Sequence, residues 1–333
     1  MRGNVKGKDL KSLFIDLSSM FRGYGRAKVI GIETAEDKLT VYADTGMYYM
    51  RSIEYSPISD TVNMIVPVVF SDITDFISAK EDVLVDITQY SVDFRTNKAQ
   101  LSLTVGQSVI TPYTSTRGIV INLDFAELRR AAKIFSGTKD LFRMYNREFA
   151  VEVHGGYATM YSPTVWIRTR LNNMNCILTV DQLKSVVGFM PDYAEESVGR
   201  IEFKKENALL SMSKLTSVRG DDFGKMTAGL PLISTWDLSG ILKELMTIKR
   251  VIGVANTEVS VYERGFKLKL TKGGVTLEES CGVSGSFKTS FVAMLDIFMM
   301  CIGLLGEESE IKVYAKEGLL CLKGQDISIL VSV

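Results

Sequence analysis

Asp9-Leu10-Lys11-Ser12-Leu13 opens a short amphipathic helix, and its pattern returns as Asp124-Phe125-Ala126-Glu127-Leu128 and again as Asp237-Leu238-Ser239-Gly240-Ile241. Each copy opens a short amphipathic helix, and each is followed by a long run of alternating, strand-like sequence. A spacing of roughly 115 residues exceeds any solenoid period and implies tandem copies of one domain. The boundaries that follow are 1–112, 113–229 and 230–333. They fall in the breaker-rich stretches Gly106–Gly118, with Pro112, and Val218–Pro231, with three glycines and Pro231.

Within each copy the pattern is doubled. In the first, alternation over residues 29–55 leads to Met64-Ile65-Val66-Pro67, a short helix near Ser71–Ser78, and strands Asp82–Thr88, Ser91–Arg95 and Gln100–Thr104. The second copy reads as helix Asp124–Ser136, strands near Phe142–Tyr145, Phe149–His154 and Val165–Leu171, helix Val180–Met190, then strands Arg200–Lys204 and Ala208–Lys214. The third reads as helix Asp237–Arg250, strands Glu258–Tyr262, Lys267–Thr271 and Thr276–Glu279, helix Thr289–Leu305, and strands Glu310–Ala315, Leu319–Lys323 and Ser328–Val331. Six half-repeats of helix plus antiparallel sheet make an α+β chain.

Composition narrows the function. With 39 basic and 39 acidic residues in 333, the whole surface is no general polyanion binder, although a local basic strip is compatible with that balance. The N-terminus lacks the apolar run of a signal peptide, and Phe291–Leu305 is too short to span a bilayer, so a cytoplasmic protein is expected. Cys176, Cys281, Cys301 and Cys321 show no ligand spacing and read as reduced, buried residues. The single histidine, His154, stands before Gly155-Gly156 and reads as a turn residue. One histidine makes no metal cluster, and a catalytic triad would have to use this residue. Gly3-Asn4-Val5-Lys6-Gly7-Lys8-Asp9 is one residue short of a phosphate loop and follows no strand. Gly282-Val283-Ser284-Gly285 lacks the third glycine of a dinucleotide site. No catalytic residue, metal or cofactor is expected, and the chain does not read as an enzyme.

Three tandem domains of doubled helix and sheet resemble the bacterial-type DNA sliding clamp, the processivity ring of replicative polymerases. The local strings that carry the resemblance are Ile65-Val66-Pro67 with Phe70-Ser71-Asp72-Ile73, the connection Leu304-Leu305-Gly306-Glu307-Glu308, and the terminal strand Ile327-Ser328-Ile329-Leu330-Val331. The resemblance implies a head-to-tail homodimeric ring around duplex DNA, bound without sequence preference. It also implies a loader that opens the ring, and a DNA polymerase and other clients that dock short peptides in a groove. A join between Arg95–Thr104 of one copy and Glu258–Lys269 of the next would close the ring.

The lead helices supply cations away from their apolar stripes. Lys8, Lys11 and Arg22 lie off the stripe Leu10, Leu13, Phe14, Leu17 and Phe21. Arg130 and Lys133 lie off Phe125, Leu128, Ala132 and Phe135, and Lys243 and Arg250 lie off Leu238, Ile241, Leu242 and Leu245. The second helices are poorer: Ser71–Ser78 carries Asp72 and Asp75, Val180–Met190 offers only Lys184, and Thr289–Leu305 contains Asp296. Any one of these lysines is most simply a solvated helix face; their recurrence in all three lead helices points to phosphates. The uneven lining motivates an alternative, a clamp-fold protein-interaction adaptor that does not encircle DNA. A hydrolase built on His154 is a third reading, with no substrate to name. By position, the implied client groove uses Tyr161, Pro163, Val165, Trp166, Phe223, Met226, Leu330, Val331 and Val333. The family's Asp-Gly-His-Arg string and terminal Met-Pro are missing here, which implies a different client motif; the divergence and the weak inner charge point to a phage or mobile-element origin.

Overall fold

The computed structural model describes residues 1–21, 28–59, 65–106, 110–115, 117–138, 150–171, 174–214, 222–237, 243, 246–247, 256–272, 275–306, 308, 310–316 and 318–332. They form two compact units, one of Met1–Leu128 with Asp181–Thr216 and the other of Arg129–Val180 with Ser217–Val333. The architecture is α+β, with few helices and extensive antiparallel sheet.

In the first unit, helix α1 (Gly7–Met20) buries the expected stripe: Leu10, Leu13, Phe14 and Leu17 are fully enclosed. Phe14 meets Phe94 edge-on at 5.7 Å and stacks on Phe70 at 6.0 Å, which fastens the helix to sheet and loop. The large sheet of this unit has eight antiparallel strands. Their order is Ile119–Asn122, Tyr193–Ser197, Arg200–Lys205, Ala208–Ser213, Met47–Glu54, Lys38–Asp44, Val29–Ala35 and Ile65–Val69. A five-stranded sheet, Ser56–Pro57, Arg2–Lys6, Asp82–Ile87, Ser91–Arg95 and Gln100–Thr104, ends on the last of these as an edge.

Two buried polar ties brace the unit. Asp16 of α1 accepts hydrogen bonds from Arg51 at 2.6 Å and from Tyr49 at 3.2 Å, and Arg51 also donates to Ser12 at 3.0 Å. Burial pushes the Asp16 carboxyl above the usual carboxylate range, against the pull of Arg51. In the second tie, the wholly buried Glu202 accepts from Tyr113 at 2.5 Å and Ser115 at 2.6 Å. The breaker-rich stretch after Gly106 is therefore strapped to the sheet, because a buried carboxylate needs donors that this segment supplies.

The second unit repeats the plan. Helix α2 (Phe125–Gly137) is capped by Asp124, whose carboxylate accepts from the backbone of Ala126 at 2.8 Å and Glu127 at 3.1 Å. From Arg129 onward it belongs to this unit, where Ala131, Ala132, Ile134 and Phe135 are buried. The eight-stranded sheet runs Cys176–Thr179, Ala150–His154, Tyr157–Tyr161, Val165–Arg170, Ile327–Ser332, Leu319–Lys323, Glu310–Lys316 and Leu232–Asp237. Helix α3 (Val180–Phe189), helix α4 (Asp222–Thr227), a hairpin of Asn256–Lys272 with Val275–Met294, and helix α5 (Leu295–Leu304) complete the described elements.

Several expectations are corrected. Ser71–Ser78 forms a turn and not a helix: Asp72 accepts from the Thr74 amide at 3.0 Å and its hydroxyl at 2.8 Å, and such local bonds compete with helix. Residues 289–294 belong to the long strand ending at Met294, and α5 starts only at Leu295. The run Thr289-Ser290-Phe291-Val292 favours strand, and it is paired throughout with residues 258–261. Glu258–Tyr262 and Lys267–Thr271 are one strand, Asn256–Lys272. Part of Val218–Pro231 is helical, as α4. Strands that the alternation did not reveal include Arg2–Lys6, Ser56–Pro57, Ile119–Asn122, Tyr157–Tyr161, Cys176–Thr179, Tyr193–Ser197 and Leu232–Asp237, the last ending at the residue where a helix was expected to open. The expected strand Phe142–Tyr145 and almost all of helix Asp237–Arg250 lie outside the described residues.

Asp16→Asn leaves Arg51 as a charge deprived of its partner in a largely buried site. The variant is expected to lose about 3 kcal/mol in urea unfolding, and Asp16→Asn with Arg51→Met should recover most of it. Equal stability of the wild type and the single variant would show that this tie contributes nothing.

Candidate functional site

The second unit's sheet sorts its residues by period two. Val165, Ile167, Ile329, Val331, Leu320, Leu322, Ile311 and Val313 are buried on one face. The other face can be followed through the cross-strand partners. Tyr161 pairs with Trp166, Trp166 with Leu330, Leu330 with Cys321, and Cys321 with Tyr314, giving one continuous apolar row. Phe223 and Met226 of α4, with Leu230, pack onto this row. Tyr161 stacks on Trp166 at 4.7 Å and donates to Glu152 at 3.0 Å.

Beside the row lies a cleft of about 290 Å³, walled by Tyr157, Phe223, Leu230 and Tyr314 with Cys321 against it, and rimmed by Arg168, Arg170, Lys323 and Asp326. Arg168 sits 3.8 Å from the centre of the Tyr157 ring and 5.4 Å from that of Phe223, so the two rings hold its guanidinium in place. Asp326 is bonded by Arg130 of α2. Burial pushes the Cys321 thiol up to about 11. An aromatic wall facing a polar, charged rim in a partly enclosed cleft suits a short segment of polypeptide with both apolar and polar side chains.

The positions read from sequence divide accordingly. Trp166, Phe223, Met226 and Leu330 come together in one cluster, with Tyr161 stacked at its end. Val165 and Val331 do not line the groove: they face each other across the ladder on the buried side, as period two requires. Pro163 is exposed in the tight turn that Ser162 closes by accepting from Val165 at 3.0 Å, and Val333 lies outside the described residues. Tyr157, Arg168, Arg170, Leu230, Tyr314 and Lys323 were missed. The pairing of Val165–Arg170 with the terminal strand brings them together, and alternation in each strand was the only signal available.

Among the cations expected to face DNA, Lys8 is exposed and Lys11 half-buried on α1, Lys184 is exposed on α3, Lys133 is exposed on α2, and Lys243 is exposed. Arg130 gives its charge to Asp326, while Arg22 and Arg250 lie outside the described residues. His154 is the exposed last residue of strand Ala150–His154, its Nδ1 2.7 Å from the side-chain Oδ1 of Asn175; the turn itself is Gly155 and Gly156, which supply the positive φ of 58° and 81° that the tight hairpin needs. Cys176, Cys301 and Cys321 are buried, as expected.

Two eight-stranded antiparallel sheets with apolar-faced helices define a protein of the DNA-clamp fold. The chain shares that fold over 100% of its length with 99% of a putative DNA polymerase III beta subunit from Eubacterium rectale, at TM-score 0.79 and 11% identity. It matches Caulobacter crescentus pol III beta with the same coverage, at 0.78 and 12%. A Helicobacter pylori beta clamp bound to a DNA ligase peptide matches with that coverage also, at 0.70 and 13%. No protein-family model and no curated protein matches the sequence.

A thiol held near 11 carries about a hundredfold less thiolate at pH 8 than an ordinary one. Iodoacetamide at pH 8 should therefore leave Cys321 unlabelled in the folded protein and label it in urea, read by peptide mass spectrometry. Labelling at the free-thiol rate in the folded state would mean that the cleft opens around Cys321.

Proposed function

We propose that this protein is a sliding-clamp-like processivity factor: a non-catalytic ring, without cofactor, that encircles duplex DNA and tethers a DNA polymerase and other clients. The observation that carries the reading is the full-length fold match together with an aromatic-walled cleft on the sheet face of the second unit. In the Helicobacter pylori clamp a DNA ligase peptide is bound; here the cluster of Trp166, Phe223, Met226 and Leu330 is the corresponding candidate for client peptides.

In this reading the chain comprises three domains, 1–112, 113–229 and 230–333, and works in the cytoplasm as a head-to-tail homodimer. The exposed edge strand Gln100–Thr104 supports the join, because its outer backbone groups can accept a strand from a second copy. Lys8, Lys11, Lys133, Lys184 and Lys243, with Arg22 and Arg250, contact phosphates without reading bases. The ion pair between Arg130 and Asp326 favours a weaker cationic lining than the sequence suggests, and so lends the non-encircling adaptor its one specific support.

Light scattering should give twice the chain mass, and the protein loaded by its clamp loader should be retained on closed circular DNA and slide off linear DNA. A monomer with no retention on circles would overturn the ring. Reversing Lys11, Lys133 and Lys243 to glutamate should lower the slope of log affinity against log salt by up to about 3. An unchanged slope, with client binding intact, would favour the adaptor.

A further inference from the structure

Each unit lays one of the breaker-rich stretches on the outer face of its eight-stranded sheet, but the two stretches are held by different chemistry. In the first unit, residues 110–115 lie against strands Lys38–Asp44 and Met47–Glu54, where Ile110 and Tyr113 pack with Tyr42 and Tyr48. Polar bonds lock them there. The Tyr113 amide donates to the Tyr48 hydroxyl at 2.9 Å, and the Tyr113 and Ser115 hydroxyls donate to the wholly buried Glu202. Lifting this segment would leave a buried carboxylate short of its donors.

In the second unit the corresponding stretch forms α4, which is joined to the sheet through apolar contacts. Phe223 is buried with Leu330 and Cys321, and Met226 and Trp166 pack against them. The side-chain bonds of Thr227 and Lys225 turn back into the helix: the Thr227 hydroxyl donates to the Phe223 carbonyl at 2.9 Å, and Lys225 sits 3.9 Å from Asp222. The sequence is a poor helix former, with Gly224 near the middle and a back-bonding threonine at the end. Six residues of this composition stay helical only while Phe223 and Met226 keep their seats.

We infer that α4 is a displaceable occupant of the apolar row: a client peptide seats by evicting it, and the structure is the closed form. This rests on the reading of the cleft as the client site and adds the shape of the client. The chain itself supplies the template. Side chains three apart on a helix stand about 5–6 Å apart, and cross-strand neighbours such as Trp166 and Leu330 about 4.5–5.5 Å. One helical turn with an aromatic and a flexible aliphatic residue at i and i+3 therefore meets two neighbours of the row. A client of that pattern takes the places of Phe223 and Met226. The adjoining cleft, whose wall includes Phe223 and Thr227, widens as the helix leaves. Because the chain keeps α4 at a high local concentration, the apparent affinity of every client falls in proportion to the open fraction.

The probe is a fluorescent synthetic peptide copying residues 222–230, titrated by anisotropy into the full-length protein. The same titration is made on Phe223→Ala with Met226→Ala, and on that variant carrying Trp166→Ala as well. Binding to the double variant should be about tenfold tighter than to the wild type, as for a protein closed about nine-tenths of the time, and Trp166→Ala should remove the gain. If the double variant fails to melt cooperatively, Met226→Ser alone, at a half-buried position, is compared in its place and should gain in the same direction. Equal binding of the probe to wild type and variant would overturn eviction. A phage-displayed random library separates this from the reading beneath it. Peptides that need Trp166 and bind Phe223→Ala less tightly would make α4 a fixed wall, overturning eviction and leaving the client site standing. No Trp166-dependent peptide on either protein would overturn both.

Discussion

The structure depends on two seams where strands far apart in sequence pair. In the first unit Ala208–Met212 runs antiparallel to Met47–Arg51, and in the second Val165–Thr169 runs antiparallel to Ile327–Val331. Each seam joins two four-stranded antiparallel halves into one eight-stranded sheet. Register at a seam decides everything on both faces, because a slip of one residue exchanges them. Such a slip in the second unit would expose Ile329 and Val331 and bury Ser328. The apolar residues on the inner side hold the ladder in place. Val165 beside Val331 and Ile167 beside Ile329 contribute nothing to the groove by contact, yet they fix which residues can contribute.

With the register set, the outer face follows without further instruction. Trp166 and Leu330 become neighbours, Cys321 and Tyr314 extend the row, and α4 has an apolar bed on which to place Phe223. That short helix has too few residues to be stable alone, so its formation is coupled to this packing. The Arg130–Asp326 pair ties α2 to the rim of the same cleft, which gives a lead-helix cation a role in the sheet face. The two faces of the unit are therefore chemically connected, although the sequence pattern presents them as separate.

Much of this was legible in the sequence. The stripe of α1, the Asp124 cap of α2, and strands such as Ser91–Arg95 and Leu319–Lys323 follow from local periodicity, and local periodicity survives folding when the buried face is continuous. The turn at Ser71–Ser78 was misread because Asp72 bonds its own neighbourhood, and the start of α5 was displaced because strand pairing overrode helical spacing. The groove was half legible. Trp166, Phe223, Met226 and Leu330 were placed there by the family resemblance and not by any local pattern. The alignment of Arg168, Lys323 and Lys312 was invisible, because they sit in three separate strands and only the seam aligns them.

That separation also explains how a fold can persist at 11–13% identity. The inner face asks only for apolar residues at every second position, a demand that many sequences meet, and core volume can be redistributed among Val, Ile and Leu at modest cost. On the outer face only the uncovered positions escape that restraint: Lys312 and Lys323 are exposed and could be exchanged without disturbing a ladder. Residues free of folding constraints are the ones whose chemistry records what the surface meets. In this chain Arg168, Lys323 and Lys312 stand in one row beside an aromatic row, an arrangement that strand register alone produces.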